Sequence, residues 1–413
     1  MLNSYRVLDL TDEKGLMCGQ LLGSLGADVI KIERPGGDPA RNIGPFFHDT
    51  PDPEKSLFWF AFNTNKSGIT LNIETVEGQE VFKQLVRVAD VVIESFPPGH
   101  MNKLGLGYPE LEKLNPGIIM TSITPFGQTG PYKDYKASDL VCWAIGGALF
   151  TCGSSGKPPV CVSHVPQAFL QGSADGAWGT AMALYWRRIS GEGQHVDVSI
   201  IESVERCALA SHVTWKLTGT SFDQCGSRYA VLPNRPDTPP NTWETKDGYV
   251  TYVLYTGEQG ARMNLPLIKW MSEEGQADEY LSTLDWTKLE WPDLSIEEKK
   301  QIARYYATFF KTKTNAELFD GAKERNAVVE PVHTIKDVLG HPQLEAREYW
   351  RKLEHPELGT KVTYPGDFCR LSDTSFKQWR RAPLIGEHNM EIYQKEMGFS
   401  KEKLTRLKQA GII

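Results

Sequence analysis

Residues 25–38 read Leu25-Gly-Ala-Asp-Val-Ile-Lys-Ile-Glu-Arg-Pro-Gly-Gly-Asp38. Asp28–Glu33 within this stretch is a short run of Val and Ile, which predicts a buried strand, and Pro35-Gly-Gly37 stops it. Working outward, Val7–Leu10 reads as an earlier strand and Met17–Leu25 as the helix between the two. Further on, Ile69–Ile73 reads as a strand and Gly78–Ala89 as an amphipathic helix. Asp90–Glu94 is another strand, stopped by Pro97-Pro98-Gly99, and Pro109–Leu114 a helix. Gly117–Ile123 is a strand again. Strands alternating with helices at this spacing predict βαβ units and a mostly parallel sheet, buried on both faces. The fold class is α/β with a Rossmann-like large domain.

A long helix is expected over Ala168–Arg188, closed by Gly191-Glu-Gly-Gln194, with a strand at His195–Ile200. Residues 217–243 are rich in Pro, Gly, Asn, Asp and Thr and read as a linker. Gly248–Tyr255 reads as a strand, and the chain from Gly257 to about Glu324 as helical and charged. The tail from Thr334 reads as short helices and loops, ending in a helix at Ser400–Leu407 with a Ser cap but no capping box. The expected division is 1–216 for the first part of the large domain and 217–243 for the linker. A smaller α+β domain follows over 244–330, and 331–413 returns to complete the large domain.

The 413 residues carry Lys+Arg 45 against Asp+Glu 52, a net −7, so neither nucleic acid nor an anionic membrane is expected as partner. The longest nearly apolar run, Leu140–Phe150, is too short for the ~20 residues a spanning helix needs. MLNSYRVLDL has no apolar core of a signal peptide. The seven cysteines are scattered without a CxxC, which points to a reducing compartment and a cytoplasmic location. The histidines form no HxxxH or HExxH pattern, so no metal site is expected.

The first strand-to-helix turn, Asp12-Glu-Lys-Gly-Leu-Met-Cys-Gly19, is not GxGxxG, and no GxxxxGK[ST] or GxSxG occurs. Glu33 stands where dinucleotide enzymes keep a ribose-binding acid, but without the glycine fingerprint. Lys31, Arg34, Arg41, Lys66 and Lys103 gather near the predicted C-terminal strand ends, the rim where open α/β sheets bind ligands. That arrangement suits an anionic, phosphate-bearing ligand; a solvated charged rim is the competing reading. Asp139 and Asp175 are conspicuous carboxylates among apolar and small residues, with helix capping as the commoner role. His164 and His195 are lone histidines.

Together with Leu25–Asp38, several further stretches resemble the family III CoA-transferases, the group that includes formyl-CoA:oxalate and carnitine CoA-transferases and the α-methylacyl-CoA racemases. They are Val7-Leu-Asp-Leu-Thr11, Asn65-Lys-Ser67, Asp90-Val-Val-Ile-Glu-Ser-Phe-Pro-Pro-Gly99, Leu104-Gly-Leu-Gly-Tyr108 and Leu114-Asn-Pro-Gly117. Gly191-Glu-Gly-Gln-His-Val-Asp-Val-Ser199 and Ala382-Pro-Leu-Ile-Gly-Glu-His-Asn389 complete the set. The resemblance covers nearly the whole chain. It implies a large Rossmann-like domain, a smaller domain, and a dimer of two interlocked ring-like chains. It also implies CoA at the strand ends, in contact with Arg34, Leu71, Phe96, Gly99, Lys103 and Lys136. CoA and acyl-CoA are then substrates, and no prosthetic group is needed.

The family's reaction uses one Asp, which attacks the acyl-CoA thioester, passes through an anhydride and an enzyme–CoA thioester, and delivers CoA to an acceptor carboxylate. By register with the long helix, that position is Phe169 here, which cannot attack. The racemase branch's His falls at Ser138. The glycine-rich loop of the transferases corresponds to Leu232-Pro-Asn-Arg-Pro-Asp-Thr-Pro-Pro240, which has no glycine, and Asp12–Gly15 lacks the relatives' Gln. The resemblance therefore implies the non-catalytic chain of a heteromeric CoA-transferase, paired with a homologous catalytic subunit in a heterodimer or larger heteromer. Succinyl-CoA is the expected donor and benzylsuccinate, as in anaerobic aromatic degradation, the expected acceptor. The alternatives are a homodimeric acyl-CoA lyase, hydratase or isomerase with Asp139 or Asp175 as base, and a CoA-binding regulatory protein.

Overall fold

The computed structural model describes the whole chain except residues 155, 208, 222, 223, 225–238 and 373–378. The chain divides into two compact units. The first comprises Met1–Ala148, Ser163–Cys207 and Glu345–Ile413, and the second Leu149–Val162 and Ala208–Leu344.

The first unit is built on a six-stranded parallel sheet. Its strands are β1 (Arg6–Leu10), β2 (Asp28–Glu33), β3 (Lys66–Thr70), β4 (Val91–Glu94), β5 (Ile119–Thr124) and β6 (Gln194–Ser199). Their order is β3-β2-β1-β4-β5-β6. Helices α1 (Leu16–Ser24), α2 (Leu57–Phe62), α3 (Val76–Val86), α4 (His100–Lys103) and α5 (Tyr108–Leu114) fall between the first five strands. They are followed by α6 (Asp139–Ile145), α7 (Gln167–Ser190) and α8 (Ile200–Cys207). The side-chain period of two splits each strand between two cores. Leu8, Ile30, Val92 and Met120 pack on one face with Phe82 and Leu85 of α3 and with Tyr393, Leu404 and Leu407 of the tail. Val7, Val29, Val91 and Ile119 pack on the other with Leu22 of α1 and Phe169, Ala177 and Leu184 of α7.

Local chemistry sets the ends. Thr75 caps α3 by accepting from the Gly78 N–H, and Gly191, at φ +80°, closes α7. Ser400 caps the helix Lys401–Gln409 by accepting from the Lys403 N–H, without a box. Strand order reverses between β1 and β4, which leaves a crevice at their C-terminal ends.

Two sequence expectations need correction. The third strand begins at Lys66 and ends at Thr70, not over Ile69–Ile73. Lys66 and Ser67 are polar yet buried, because Lys66 is neutralised by Asp9, while Leu71 and Ile73 pass beyond the sheet into the crevice. In the tail, Arg351–His355 and Thr360–Tyr364 form an antiparallel hairpin where helices and loops were expected. Its strands, RKLEH and TKVTY, are mostly polar, and Leu353, Val362 and Tyr364 are their only large apolar residues.

The second unit has a three-stranded antiparallel sheet of Thr242–Glu244, Tyr249–Thr251 and Glu330–Pro331. Only Tyr249–Thr251 of the strand expected over Gly248–Tyr255 pairs in it. Helices Gly257–Glu273, Ile296–Lys311 and Asn315–Glu324 supply an aromatic core with Trp270, Tyr306, Phe309 and Phe310. Among the described residues, no helix is long and apolar enough to cross a membrane.

Candidate functional site

The crevice at the β1/β4 reversal is a cleft of about 560 Å³. The residues that leave the strands line it: Asp12 after β1, Arg34 after β2, Leu71 and Asn72 after β3, Ser95 and Phe96 after β4. Three of the six CoA contacts expected from the resemblance, Arg34, Leu71 and Phe96, thus meet at one cleft. Gly99 and Lys103 begin and end α4, tied to it by the ring contact of Phe96 with His100 at 4.8 Å between centroids. Gly99 takes φ +77°, a left-handed conformation that favours glycine. Lys136 is exposed on the loop before α6 and is not part of the cleft lining.

The expected basic rim is smaller than the sequence indicated. Lys31 and Lys66 are fully buried, and Arg41 is 1% exposed. Lys66 Nζ donates to Asp9 Oδ2, the Leu16 carbonyl and Asn63 Oδ1, each at 2.8 Å. Lys31 Nζ lies 3.2 Å from Asp38 and 4.0 Å from Asp9. Arg41 grips Glu33 through Nε at 2.6 Å and Nη2 at 2.8 Å, and reaches Glu54 at 2.7 Å. These cations balance buried acids, of which Glu33 and Asp38 line the cleft, and do not themselves line it. Glu33 is consumed by Arg41 and is not a free ribose acceptor. Arg34 and Lys103 are exposed and make no ion pair with a described residue, so they are the rim cations available to an anion.

Burial and pairing act in opposite directions on these buried ions. Burial pushes the Asp9 carboxyl up, but Lys66 and Lys31 outweigh it and hold it below the usual carboxylate range. Burial pulls Lys31 down, yet Asp38 and Asp9 keep its ammonium above its ordinary value. Lys66 goes the other way, because its burial and the nearby Lys31 exceed what Asp9 returns. Beside them stands a carboxylate that the sequence reading passed over. Glu94 ends β4, is 3% exposed and forms no ion pair among the described residues; burial pushes its carboxyl up to about 7. Its Oε2 accepts from the Phe96 N–H at 2.7 Å, and Ser122 also bonds to it. An acid closing an otherwise Val/Ile strand is the signal that marks it in the sequence.

Phe169, the position that the resemblance aligns with the nucleophile, lies at the first turn of α7. Phe169 is 5% exposed and packs in the apolar cluster that includes Cys18, Cys142 and Ala168. Its backbone N–H donates to Asp139 Oδ1 at 2.9 Å, and Ala168 N–H bonds to the same side chain. Asp139 therefore caps α7 from the neighbouring α6. Burial raises its carboxyl above the ordinary value, and the two backbone donors oppose that rise. One turn along, Ser173 Oγ donates to the Lys14 carbonyl at 3.0 Å, which fastens the Asp12–Gly15 loop to α7. Glu13 in that loop is half-buried, and burial followed by the Asp12 charge raises its carboxyl.

Asp175 is ion-paired with Arg206 of α8 and lies away from this corner. His195 bonds Ser122 Oγ through Nε2 at 2.9 Å and stacks on Tyr108, the structural arrangement of a lone histidine; His164 is exposed. The glycine-poor stretch Leu232–Pro240 lies, through residue 238, outside the described residues. The site thus combines a cleft lined by Arg34, buried ion pairs that hold Glu33 and Asp38 in its wall, and an apolar Phe169 at the first turn of α7.

A family profile described as CoA-transferase family III matches residues 2–389. The succinyl-CoA:(R)-benzylsuccinate CoA-transferase subunit BbsE of Thauera aromatica is 33% identical over 413 residues, 99% of this chain and 97% of the relative. The succinyl-CoA–L-malate CoA-transferase beta subunit of Chloroflexus aurantiacus is 30% identical, over 96% of this chain and 94% of the relative. Among solved structures, a CAIB/BAIF family protein from Brucella suis superposes with TM-score 0.81 at 27% identity, covering 95% of this chain and 98% of that one.

Proposed function

The chain belongs to CoA-transferase family III, and from that premise we propose that it is the non-nucleophilic subunit of a heteromeric CoA-transferase. A homologous catalytic chain completes the assembly, with the two chains interlocked. Phe169, buried at the first turn of α7 in the place of the family's nucleophilic Asp, carries this reading. A phenyl ring offers no lone pair to a thioester carbonyl, so the anhydride and enzyme–CoA thioester form on the partner. This chain contributes the cleft, in which Arg34 and Lys103 take CoA phosphates, Leu71 and Phe96 give apolar contact, and Gly99 allows close approach. Lys136 adds a cation from its loop.

Two of the similar proteins are named as subunits, which supports a heteromer. The name of the first supports succinyl-CoA as donor and a benzylsuccinate-like dicarboxylate as acceptor. The carboxylates that a homodimeric lyase or isomerase would use are engaged elsewhere, Asp139 in capping α7 and Asp175 with Arg206.

Co-expression with a homologue that retains the Asp tests this reading. The expected result is a stable complex, seen by intact mass, that transfers CoA from succinyl-CoA, while this chain alone transfers none. Transfer by this chain alone contradicts it.

A further inference from the structure

Two stretches far apart in the chain, Asn65-Lys-Ser67 and Ala382–Asn389, meet along β3. β3 ends the sheet: β2 pairs with it on one side, and no described strand flanks it on the other. Such an edge leaves backbone groups unpaired unless something covers it. Here the tail does so. The Asn65 N–H donates to the Arg380 carbonyl at 3.0 Å, and the Arg380 N–H to Asn65 Oδ1 at 2.9 Å. The His388 N–H donates to the Gly68 carbonyl at 2.9 Å, and the Thr70 N–H to Asn389 Oδ1 at 2.9 Å. Pro383 lies against Gly68, where an added Cβ would stand 2.8 Å from its Cβ and Cγ.

One bond in this strap depends on a proton. The Gly68 N–H donates to His388 Nδ1 at 3.1 Å. A backbone N–H can only donate, so Nδ1 carries the lone pair and the ring's proton sits on Nε2. An imidazolium has no lone pair, so protonation of His388 breaks this bond and sets two N–H groups against each other. Burial holds the ring below its ordinary value of 6.5. Glu387 and Glu391 favour the proton, Arg380 and Arg381 oppose it, and Lys66, the charged residue of β3, is bonded to Asp9.

The strand leads directly into the cleft. Thr70 is followed by Leu71 and Asn72, which line it. The Leu71 N–H donates to the Glu33 carbonyl at 2.6 Å, and the Asn72 N–H to the Ile412 carbonyl at 2.7 Å. The place of Leu71 therefore depends on β2 on one side and on the tail on the other.

We infer that His388 is a positioning residue for the cleft: its neutral imidazole holds the edge of β3, and through it Leu71, where CoA is met. Protonation releases that edge, so the affinity of this chain for CoA falls on acidification. The inference rests on the CoA-binding role proposed above for the cleft.

The test is calorimetric titration of CoA into the assembled complex at about pH 7.5 and about pH 5, with substitutions in this chain alone. His388→Asn and His388→Gln keep an oxygen acceptor but take up no proton, and His388→Ala keeps neither. Comparison at equal pH cancels the titration of the ligand's phosphates and of Glu94. Between the two pH values the wild-type site should lose at least about threefold more affinity than the site in either amide variant. His388→Ala should be the weaker binder at both. A merely structural histidine lowers the melting temperature of His388→Ala without separating the wild type from the amide variants in pH dependence, and that result overturns the inference. Arg34→Ala is the control. If it weakens CoA binding while His388 has no effect, the CoA-binding role stands and the inference falls; if it too has no effect, both fall.

Discussion

The carboxylate of Asp139 accepts the backbone N–H of Phe169 at 2.9 Å, across the junction between α6 and α7. Asp139 is therefore committed to holding the helix that carries Phe169. The Ala168 N–H bonds to the same side chain, and the Phe169 side chain lies in the apolar cluster with Cys18, Cys142 and Ala168.

Replacing Asp139 with Ala removes this cap and should cost about 1 kcal/mol of stability, the usual value for a lost helix cap. Turnover by the complex should stay within roughly threefold, because Asp139 supports the helix and takes no part in covalent steps. Chemical denaturation and a transferase assay measure the two effects. A loss of several orders of magnitude in kcat with unchanged stability would make Asp139 a catalytic base.

Glu94 should make stability depend on pH. Its folded pKa of about 7 lies above the ordinary 4.5, so between those values the unfolded chain releases a proton that the folded chain keeps. The neutral carboxyl's contribution is complete below pH 4.5 and is lost as pH rises toward 7, by at most about 3 kcal/mol. Glu94→Gln keeps an acceptor for the Phe96 N–H but cannot ionise. Relative to wild type, the variant should therefore gain stability between pH 4.5 and 8. Denaturation curves whose difference does not change with pH contradict this.

The buried pair of Asp9 and Lys66 predicts a different pattern. Asp9→Ala leaves Lys66 buried without its counter-charge and should cost about 3–5 kcal/mol. Asp9→Ala combined with Lys66→Met removes both charges and should recover much of that loss. Urea denaturation of Asp9→Ala, Lys66→Met and the double variant decides it. A double variant as unstable as the sum of the two singles would mean that the pair is not coupled.

Arg34→Ala should weaken CoA binding at least tenfold without a change in melting temperature, because its guanidinium is exposed and makes no ion pair with a described residue. Lys103→Ala should behave likewise. Titration calorimetry gives the affinity. Unchanged binding in both variants means that this chain's cleft holds no CoA.

Strands such as Asp28–Glu33 and Val91–Glu94 were legible because each is a compact Val/Ile run stopped within a few residues by Pro and Gly, and Asp28–Glu33 has the predicted bounds. Lys66 defeated the same rule. A lysine reads as surface, and only the tertiary partner Asp9, 57 residues away, makes its burial tolerable. The rim cations were overcounted for the same reason, since residue type does not reveal which charges are paired beneath the surface. Asp139 was visible as an odd acid among apolar residues, but its capping of α7 depends on packing between two helices. The bond between His388 and Gly68 needs the tail to fold back against β3, a closure that no local pattern announces.

The most direct test of the central claim is chemical trapping. The assembled complex is incubated with succinyl-CoA, the acyl-enzyme and enzyme–CoA intermediates are captured with hydroxylamine or borohydride, and the modified carboxylate is located by peptide mass spectrometry. The predicted result is modification of one Asp in the partner chain, with Asp139, Asp175 and Glu13 of this chain unmodified. Labelling of any of these three would contradict the account and place a working nucleophile in this chain.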